Sequence, residues 1–570
     1  MPNIFAVNEQ SVPVTAELVR VSRLPRRVWT PEAVEEVVHE LTRLLKTPEG
    51  MMTLRPIQAV ALYEIAEQGG LFGIMTCGSG KTLTSLLAPV VYDAKRPLLL
   101  VPAGLVDKTW RDREKLLRHW KLPDLNIESY DLLGRVQAAE LLEERDPDFL
   151  VCDEVHKLKH FAAAASARRV RRWLRGHPAV GCAVMSGTMT KRSLHDYAHI
   201  IRWCLPPESV PLPRVYSDLE SWADALDERK VQERRADPGA LKVLCNEEEL
   251  GIWRQDRRLA ARHAFRRRLV ETAGVVATHE AAVDASLTIN AVEPAVSSVV
   301  DDAFAKLRTD WELPDGQTVL DGLAMFRHAR ELALGFFYRW SPPAPRHWIE
   351  ARRGWAAFVR RVLGHSRKLD SEAQVALEQP TAPELLAWRA VEKDFEPHTG
   401  PVWLDDGVLR YAAEWAEEKK GIVWVEHTCV GERLERDFGL AYYGKEGLTR
   451  DGRYIEDHPT GAPLVASIHS NREGRNLQAW STNLILSPLP DGERTEQLLS
   501  RTHREGQEAD EVTVDVVVTC AEHVKALWQA VRDCEYVLAC TGTPQKILLA
   551  GLNIPREEDI VFRSGPRWNP

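Results

Sequence analysis

One short segment, Gly78-Ser79-Gly80-Lys81-Thr82, has the composition of a phosphate-binding loop. Its glycines allow backbone N–H groups to turn inward around a phosphate, and a helix that begins directly after them would add its positive N-terminal end. Lys81 would then reach the β- and γ-phosphates of a nucleoside triphosphate, and Thr82 would hold Mg²⁺. The alternative interpretation is a chance glycine-rich turn, and a second motif argues against it.

The second motif is the acid pair Asp153-Glu154, about 70 residues after the loop and directly after the apolar run 150–152. An acid at a strand end beside such a loop can coordinate Mg²⁺ through water, and we expect this of Asp153. The next acid, Glu154, can orient and deprotonate an attacking water. The alternative is a solvated surface pair, but the preceding apolar run and the spacing from the loop favour the functional interpretation.

Both motifs follow segments that the sequence predicts to be buried strands. Four short apolar runs, at 71–75, 97–101, 148–152 and 181–185, alternate with helical stretches. Continuous apolar runs of this length are typical of parallel strands that are buried on both faces. The alternation predicts an α/β domain in which the loop and the acid pair lie at strand ends.

A second series of runs, at 421–426, 464–469, 483–487 and 512–518, predicts another α/β domain. Between the two series the strand signal fades and helical spacing dominates, with Ser286–Val292 as a possible lone strand. We therefore predict a leader at 1–52 with a helix over Pro31–Leu45, an ATPase lobe at 53–205, a largely helical insertion at 206–404, a second lobe at 405–550 and a poorly ordered polar tail at 551–570.

The bulk composition excludes several classes of protein. The chain has 570 residues, 44% hydrophobic and 28% charged, which is typical of a globular protein with several domains. No apolar run approaches the ~20 residues of a membrane span, so no membrane partner is expected. The N-terminus lacks a signal-peptide pattern, and the nine scattered cysteines form no zinc-binding pattern, so we expect reduced thiols in a cytoplasmic protein. The net charge of −9 is only weak evidence against a nucleic-acid partner. Net charge is a sum over the whole chain, whereas binding depends on local basic surfaces.

Further short stretches give the chain a family resemblance. It is similar to helicase superfamily 2, and within it to the Swi/Snf-type branch. In the first half, the matching stretches are 54–58 with Gln58 in the adenine-contacting position, the loop as motif I, 99–102 with Thr109-Trp110 as motif Ia, 153–156 as a DEVH variant of the DEAH motif II, and 186–188 as motif III.

In the second half, residues 421–426 resemble motif IV, 474–478 motif V and 497–507 motif VI. Arg501 and Arg504 are three residues apart, so we expect them on one helix face. In this family the two arginines reach across the interdomain cleft to the ATP phosphates, where a planar guanidinium suits the γ-phosphate. The trailing Gly506-Gln507 resembles the Swi/Snf-type branch more than the DEAD-box RNA helicases.

The resemblance covers residues 53–205 and 405–548, roughly half of the chain, and it implies two RecA-like lobes that bind ATP and Mg²⁺. Met75 and Met189 depart from the family pattern without removing a catalytic group. The compact size and the late Gln545-Lys546 segment are similar to phage-encoded members, which implies a bacterial or phage-infected cell.

The resemblance also assigns roles to individual residues. The catalytic group is Asp153, Glu154, Lys81, Arg501 and Arg504; ATP binding adds Gln58, Gly78, Ser79, Gly80, Thr82 and Gln497; coupling of hydrolysis to movement falls to His156, Ser186, Thr188 and Gly474; and nucleic-acid contacts fall to Pro102, Thr109, Asn476, Arg266 and Arg267.

The implied function is an ATP-driven motor on nucleic acid, with duplex or branched DNA as the expected partner and single-stranded DNA or RNA as alternatives. Strand separation and duplex translocation both remain open, and protein partners are unknown. A different class of hypothesis is an ATP-gated scaffold that binds a partner without translocating. The paired acids and arginines argue against a pure scaffold, which would need neither Glu154 nor Arg504.

Two basic clusters have two interpretations each. Residues 254–268 carry seven arginines, which either track a nucleic-acid backbone or form a solvated helix face that pairs with nearby acids. Residues 346–361 mix arginines with Trp348 and Trp355. These tryptophans either stack on bases or belong to a core with a charged rim.

Overall fold

The chain folds into two compact units, each with its own parallel sheet. In this computed structural model, unit 1 is Met1–Ala282 with Asp533–Gln545, and unit 2 is Val283–Arg532 with Lys546–Pro570. The structure describes residues 11–76, 78–135, 138, 140–159, 165–228, 236–278, 283, 285–310, 312–316, 322–365, 372–396, 398–472 and 474–557.

Unit 1 contains a six-stranded parallel sheet in the order β3-β2-β4-β5-β1-β6. The strands are β1 (Gly70–Ile74), β2 (Pro97–Val101), β3 (Asn126–Ser129), β4 (Phe149–Asp153), β5 (Gly181–Ser186) and β6 (Val275–Ala277). Its helices are α1 (Ala16–Ser22), α2 (Pro31–Leu45), α3 (Pro56–Gln68), α4 (Lys81–Tyr92), α5 (Val106–Leu116), α6 (Tyr130–Gly134), α7 (Leu141–Arg145), α8 (Ala165–Gly176), α9 (Ile201–Cys204), α10 (Tyr216–Leu226), α11 (Glu247–Trp253) and α12 (Arg257–Val270).

The inner strands of unit 1 are mostly apolar because both faces of the sheet are covered. Along β2, Leu98 and Leu100 pack into one hydrophobic cluster, while Leu99 and Val101 pack into another. Successive side chains of a strand point to opposite faces, so one run of apolar residues serves two cores.

Unit 2 contains a seven-stranded parallel sheet in the order β11-β12-β10-β13-β14-β7-β15 and a two-stranded antiparallel sheet, β8-β9. The strands are β7 (Ser286–Val292), β8 (Phe336–Trp340), β9 (Thr399–Trp403), β10 (Ile422–Val425), β11 (Tyr442–Tyr443), β12 (Leu464–Ser467), β13 (Thr482–Ile485), β14 (Glu511–Val517) and β15 (Gly551–Asn553). Its helices up to Leu499 are α13 (Ser298–Asp310), α14 (Gly322–Leu332), α15 (Arg346–His365), α16 (Glu372–Glu378), α17 (Pro383–Val391), α18 (Gly407–Lys419), α19 (Thr428–Phe438), α20 (Ile468–Asn471) and α21 (Gly492–Leu499).

The long helix α22 (Ala521–Thr541) begins in unit 2 and ends in unit 1. Within unit 1, the guanidinium of Arg192 donates to both carboxylate oxygens of Asp533 at 2.6 and 2.9 Å. Tyr536 donates to Asp227 at 3.3 Å, and Arg262 lies 5.1 Å from the Tyr536 ring centroid. A short helix, α23 (Lys546–Leu549), then follows in unit 2.

The α/β class with two parallel sheets is confirmed, and all eight strands of the two series form within two residues of their expected bounds. The expectation for Ser286–Val292 was wrong. This segment is not a lone strand: β7 pairs along its length with β14, and β15 pairs on its other side. The segment 206–404 is divided between the two units after Ala282.

The polar segment after Ala550 also departs from expectation. Gly551–Asn553 forms the edge strand β15, and the Asn553 side chain donates to Asn290 Oδ1 at 2.8 Å. Backbone pairing with β7 holds this segment in place, and the polar composition of the segment does not reveal that pairing. Residues 558–570 of the expected tail lie outside the described residues.

The structure also bears on the expectations about the cysteines and about membrane spans. The cysteines that the structure describes are all free thiols, and most of them are buried. Among the described residues, no helix combines the length and apolarity that crossing a bilayer requires.

Candidate functional site

The loop that follows β1 contains two glycines with left-handed backbone angles. Gly78 and Gly80 have φ of +89° and +84°, a region that glycine enters without steric cost. Gly80 caps α4, whose first residue is Lys81. A Cβ atom at Gly80 would lie 2.1 Å from Gln58 Nε2, so a larger residue here would displace the Gln58 amide from the loop.

Residues upstream of the sheet bind this loop directly. Gln58 Nε2 donates to Gly80 O at 3.1 Å, and its Oε1 accepts from the backbone N–H of Arg55 at 2.9 Å. Arg55 in turn donates to Gly78 O at 2.5 Å. Gln58 was expected to contact adenine; in the structure its amide connects the start of α3 to the loop, and the adenine contact stays a prediction.

Lys81 brings the two sequence motifs together. Its Nζ donates to Met75 O at 3.2 Å and Thr76 O at 3.3 Å, and it lies 3.2 Å from Glu154 Oε1. The lysine is buried, so its charge is poorly screened and acts strongly on the acid beside it. The loop after β1 and the acids at the end of β4 therefore form one charged cluster.

The two acids of this cluster differ in acidity. Burial raises the pKa of Asp153 above its usual range, and the neighbouring charge of Glu154 acts in the same direction. Burial also opposes ionisation of Glu154, but the Lys81 ammonium and the His156 ring outweigh it and hold the pKa of Glu154 well below its usual range. Glu154 is thus the ionised partner of Lys81.

The backbone at Glu154 is also unusual. Its φ of 51° and ψ of 47° place it in the left-handed region, which residues other than glycine seldom enter. Such conformations cost of the order of 1–3 kcal/mol and cluster at functional sites. The strained turn directs the carboxylate of Glu154 toward Lys81, while Asp153 Oδ1 accepts from the Glu154 N–H at 2.9 Å.

The residues expected to couple hydrolysis to movement form a hydrogen-bonded chain from Glu154. Ser186 Oγ donates to Glu154 Oε2 at 3.3 Å and lies 3.1 Å from His156 Nδ1. The N–H of Thr188 donates to Ser186 Oγ at 3.2 Å. The side chains of Glu154, His156, Ser186 and Thr188 are all largely buried. A movement of the Glu154 carboxylate would therefore alter the hydrogen bonds at the end of β5.

Tyr130 is a contact to this cluster that the sequence did not reveal. Its hydroxyl donates to the backbone carbonyl of Asp153 at 2.7 Å, and the ring is buried. Tyr130 directly follows β3, which pairs with β2, and β2 pairs with β4. Only this strand order brings Tyr130 to the acids, and no local motif encodes it.

The donor set suits a magnesium ion held mainly by water and phosphate. Thr82 offers a hydroxyl in the first turn of α4, and Asp153 offers a buried carboxylate at the end of β4. Among the described residues there is no group of three or more His, Cys, Asp or Glu side chains placed to hold a metal. Magnesium keeps several waters and uses one or two carboxylates, so this sparse set fits it.

A cavity of about 680 Å³ adjoins the loop. Its walls include Ser79 of the loop, Arg55 and Ile57 at the start of α3, and Arg27 and Trp29 from the leader. The Trp29 ring packs edge-on against Tyr63 at 5.2 Å, and the Arg27 guanidinium lies 5.8 Å from the Trp29 ring centroid. The leader was expected to be only partly helical, and its contribution to this wall is not visible in the sequence.

In unit 2, Arg501 and Arg504 lie close together, but the expectation that they share one helix face was wrong. Helix α21 ends at Leu499, and both arginines lie in the turns that follow. Arg501 donates to Arg475 O at 3.0 Å and to Gln497 O at 2.8 Å, and Arg504 donates to the same Arg475 carbonyl at 3.1 Å. Shared bonding to one carbonyl, and not helical spacing, brings the two side chains together.

The preceding motif supplies that carbonyl. Gly474 has φ of +70°, and the buried side chain of Arg475 forms an ion pair with Glu456 at 3.2 Å. Asn476 Oδ1 accepts from Arg504 at 2.6 Å. Arg475, to which the sequence assigned no role, is therefore the residue on which Arg501 and Arg504 are assembled.

Glu496, next to Gln497 on α21, is a buried acid with an unusual environment. Burial raises its pKa to about 7, although the charge of Lys546 and the backbone N–H groups of Lys546 and Ile547 act in the opposite direction. The Lys546 N–H donates to Glu496 Oε2 at 2.8 Å. The carboxyl group thereby holds α23 against α21.

We expect the Glu496→Gln substitution to stabilise unit 2 at pH 8 by an amount on the order of 2 kcal/mol and to have little effect at pH 5. The folded pKa lies above the unfolded value, so the folded state retains a proton that the unfolded chain releases. The native protein therefore loses stability as pH rises from about 4.5 through about 7. Glutamine is neutral throughout and can still accept the Lys546 N–H.

The measurement is urea unfolding of the full chain at both pH values, with unit 2 followed by hydrogen exchange on peptides that contain α21. The exposed Glu508→Gln is the matched control. An unchanged pH dependence in Glu496→Gln would show that this carboxyl group is not responsible.

The residues expected to contact nucleic acid have varied surroundings. Pro102 follows β2, and Thr109 is buried in α5 with its hydroxyl donating to Leu105 O at 2.7 Å. Arg266 donates to Leu538 O at 3.4 Å. Arg267 forms a two-point pair with Glu249 at 2.9 and 3.0 Å. These contacts serve the fold, and the nucleic-acid roles stay predictions.

The two basic clusters favour the structural alternatives. On α12, Arg262 pairs with Glu228 at 2.8 Å, and the fully buried Arg268 donates to Leu24 O and Pro25 O. On α15, Trp348 and Trp355 are both buried, and the Trp348 ring lies 5.1 Å from that of Trp388. Buried tryptophans belong to a small core with α17 and are not presented for base stacking.

Comparison with known proteins adds no relative to this picture. No protein-family model matches the chain, and no curated protein matches it either.

Proposed function

We propose that the protein hydrolyses ATP and uses the energy to move on nucleic acid, with DNA as the preferred partner. The observation that carries the ATPase proposal is the 3.2 Å ion pair between Lys81 and Glu154, one on a glycine-rich loop after β1 and the other after β4. This pair joins a phosphate-binding cation to an acid that can activate water. The motor part of the proposal rests on the motif order in the sequence.

The geometry supports a defined position for each part of the nucleotide. The phosphates would lie at the N-terminus of α4, where Lys81 exchanges its contacts with Met75 O, Thr76 O and Glu154 for phosphate oxygens. The base would enter the adjacent cavity between Arg55 and the Trp29 wall. A cavity of about 680 Å³ can hold a nucleobase and its ribose.

The chemistry then follows from two changes at the acids. Thr82 and Asp153 would hold magnesium, which would supply positive charge to the phosphates. Departure of Lys81 from Glu154 removes the main influence that lowers the pKa of Glu154, so the carboxylate becomes a better base for water. Arg504 would stabilise charge on the γ-phosphate, as the family resemblance implies.

The test is steady-state ATP hydrolysis by the full chain with duplex DNA, single-stranded DNA or RNA added at equal nucleotide concentration. We expect stimulation by DNA, strongest with duplex, and loss of all turnover in Lys81→Ala. The exposed lysine Lys95 gives the matched control Lys95→Ala, which should retain activity. Turnover that no nucleic acid changes would favour the ATP-gated scaffold, and the absence of turnover would overturn the proposal.

A further inference from the structure

A second cavity, of about 550 Å³, lies in unit 1 at the opposite end of β1 from the phosphate loop. It is lined by Gln68 and Gly69, which precede β1, and by Gly181 and Cys182 at the start of β5. A strand of five residues is about 15 Å long, so the sheet separates this cavity from Lys81. It belongs to no part of the proposed ATP site.

The cavity is strongly basic. Arg171 and Arg175 reach it from α8 and Arg202 reaches it from α9, together with two histidines. All its lining residues are described, and they include no Asp or Glu. In a chain with net charge −9, a cavity with three arginines and no acid in its walls concentrates positive potential and attracts anions.

The two histidines serve mainly as walls of the cavity. Burial lowers the pKa of His199 to about 4, so its ring is neutral at physiological pH and the arginines provide the charge. His177 Nδ1 lies 2.9 Å from Trp173 O, and its ring stacks on Trp173 at 4.5 Å. These contacts fix the rings as walls of the cavity.

Aromatic surfaces complete the lining. Tyr92 is stacked on Phe149 with ring centroids 4.3 Å apart, and Trp203 packs edge-on against His199 at 5.3 Å. Arginines bind phosphate oxygens through paired N–H groups, and aromatic rings stack on planar bases. The volume lies within the range of about 300–1,000 Å³ typical of small-molecule sites.

We propose that this cavity binds a small phosphorylated aromatic compound of the mononucleotide class. A nucleic-acid strand would instead require basic residues spread along a stripe that follows its backbone. Here the basic residues converge on a single cavity, with Pro178 and Pro206 among its other walls. The small ligand is therefore favoured, and this inference does not depend on the proposed ATPase activity.

The experiment is calorimetric titration with AMP. The full chain carries the Lys81→Ala substitution, because this change weakens competing binding at the phosphate loop. We expect saturable binding of one AMP, weakened about 10-fold by Arg175→Ala or by Arg202→Ala, as loss of a charged hydrogen bond predicts. Arg175 is exposed, so Arg175→Ala should leave the thermal unfolding temperature unchanged. Arg202 also donates to Pro213 O at 2.5 Å, so a small fall in that temperature is expected for Arg202→Ala. Arg172→Ala is the matched control, because Arg172 is an exposed residue of α8 outside the lining.

Further arms identify the chemistry that is bound. Adenosine should bind at least 10-fold more weakly than AMP because it lacks the phosphate, and inorganic phosphate should also bind more weakly because it lacks the base. Inorganic phosphate that binds as tightly as AMP would overturn the aromatic part of the proposal. Single-stranded DNA that displaces AMP more effectively with increasing length would overturn it in favour of a nucleic-acid surface. The absence of saturable AMP binding would overturn it entirely.

Discussion

The Glu154→Gln substitution should lower kcat for ATP hydrolysis by about 10²- to 10⁴-fold, the usual contribution of a general base. Glutamine has nearly the same shape as glutamate and can accept the bond from Ser186 Oγ that Glu154 Oε2 accepts at 3.3 Å. It cannot take a proton from water. The defect should therefore appear in the chemical step and leave the surrounding structure intact.

Binding of ATP should respond in the opposite direction. In the structure Lys81 pairs with Glu154 at 3.2 Å, and this pair must separate before the lysine can contact phosphate. Removing the negative charge removes that competition. We therefore expect Glu154→Gln to bind ATP at least as tightly as the native protein.

Two measurements separate these effects: single-turnover hydrolysis for the chemical step, and titration with a fluorescent ATP derivative for binding. The exposed Glu144 of α7 provides the control Glu144→Gln, which should match the native protein in both. Native turnover in Glu154→Gln would refute the assignment of the general base. Loss of ATP binding together with turnover would indicate a structural role.

The sequence predicted those parts of the fold and site that local patterns encode. Buried parallel strands appear as short apolar runs because both faces of each sheet are covered, as the two cores on either side of β2 show. The loop at Gly78 and Gly80 was visible because few residues other than glycine adopt its φ angles. The acid pair was visible because it interrupts an apolar run at the end of β4.

The parts that escaped prediction depend on pairing between distant segments. Ser286–Val292 has the composition of a strand, but its place in the sheet is set by β14, which lies more than 200 residues later. Tyr130 reaches Asp153 only through the order of three strands. Trp348 and Trp355 mix with arginines in sequence, and only the packing of α15 on α17 shows that they are buried.

Arg504→Ala should lower kcat by about 10³-fold or more if Arg504 stabilises the γ-phosphate, the usual contribution of such an arginine. In the structure its Nη1 donates to Arg475 O at 3.1 Å and Asn476 Oδ1 at 2.6 Å. The proposal requires these protein acceptors to be exchanged for phosphate oxygens during turnover. Arg504→Lys keeps the charge but loses the planar fork, so we expect it to recover only part of the activity.

The design must separate catalysis from folding, because Arg504 also helps to hold the segment around Arg475. Thermal unfolding and ATP affinity should stay near native in both variants, since the loop and Lys81 belong to unit 1 and Arg501 keeps its own bond to Arg475 O at 3.0 Å. The exposed Arg494 of α21 provides the control Arg494→Ala, which should retain full kcat. A fall in kcat without a fall in ATP affinity supports a role in the transition state. Native kcat in Arg504→Ala would confine this arginine to assembling unit 2 and leave the ATPase proposal resting on Lys81 and Glu154 alone.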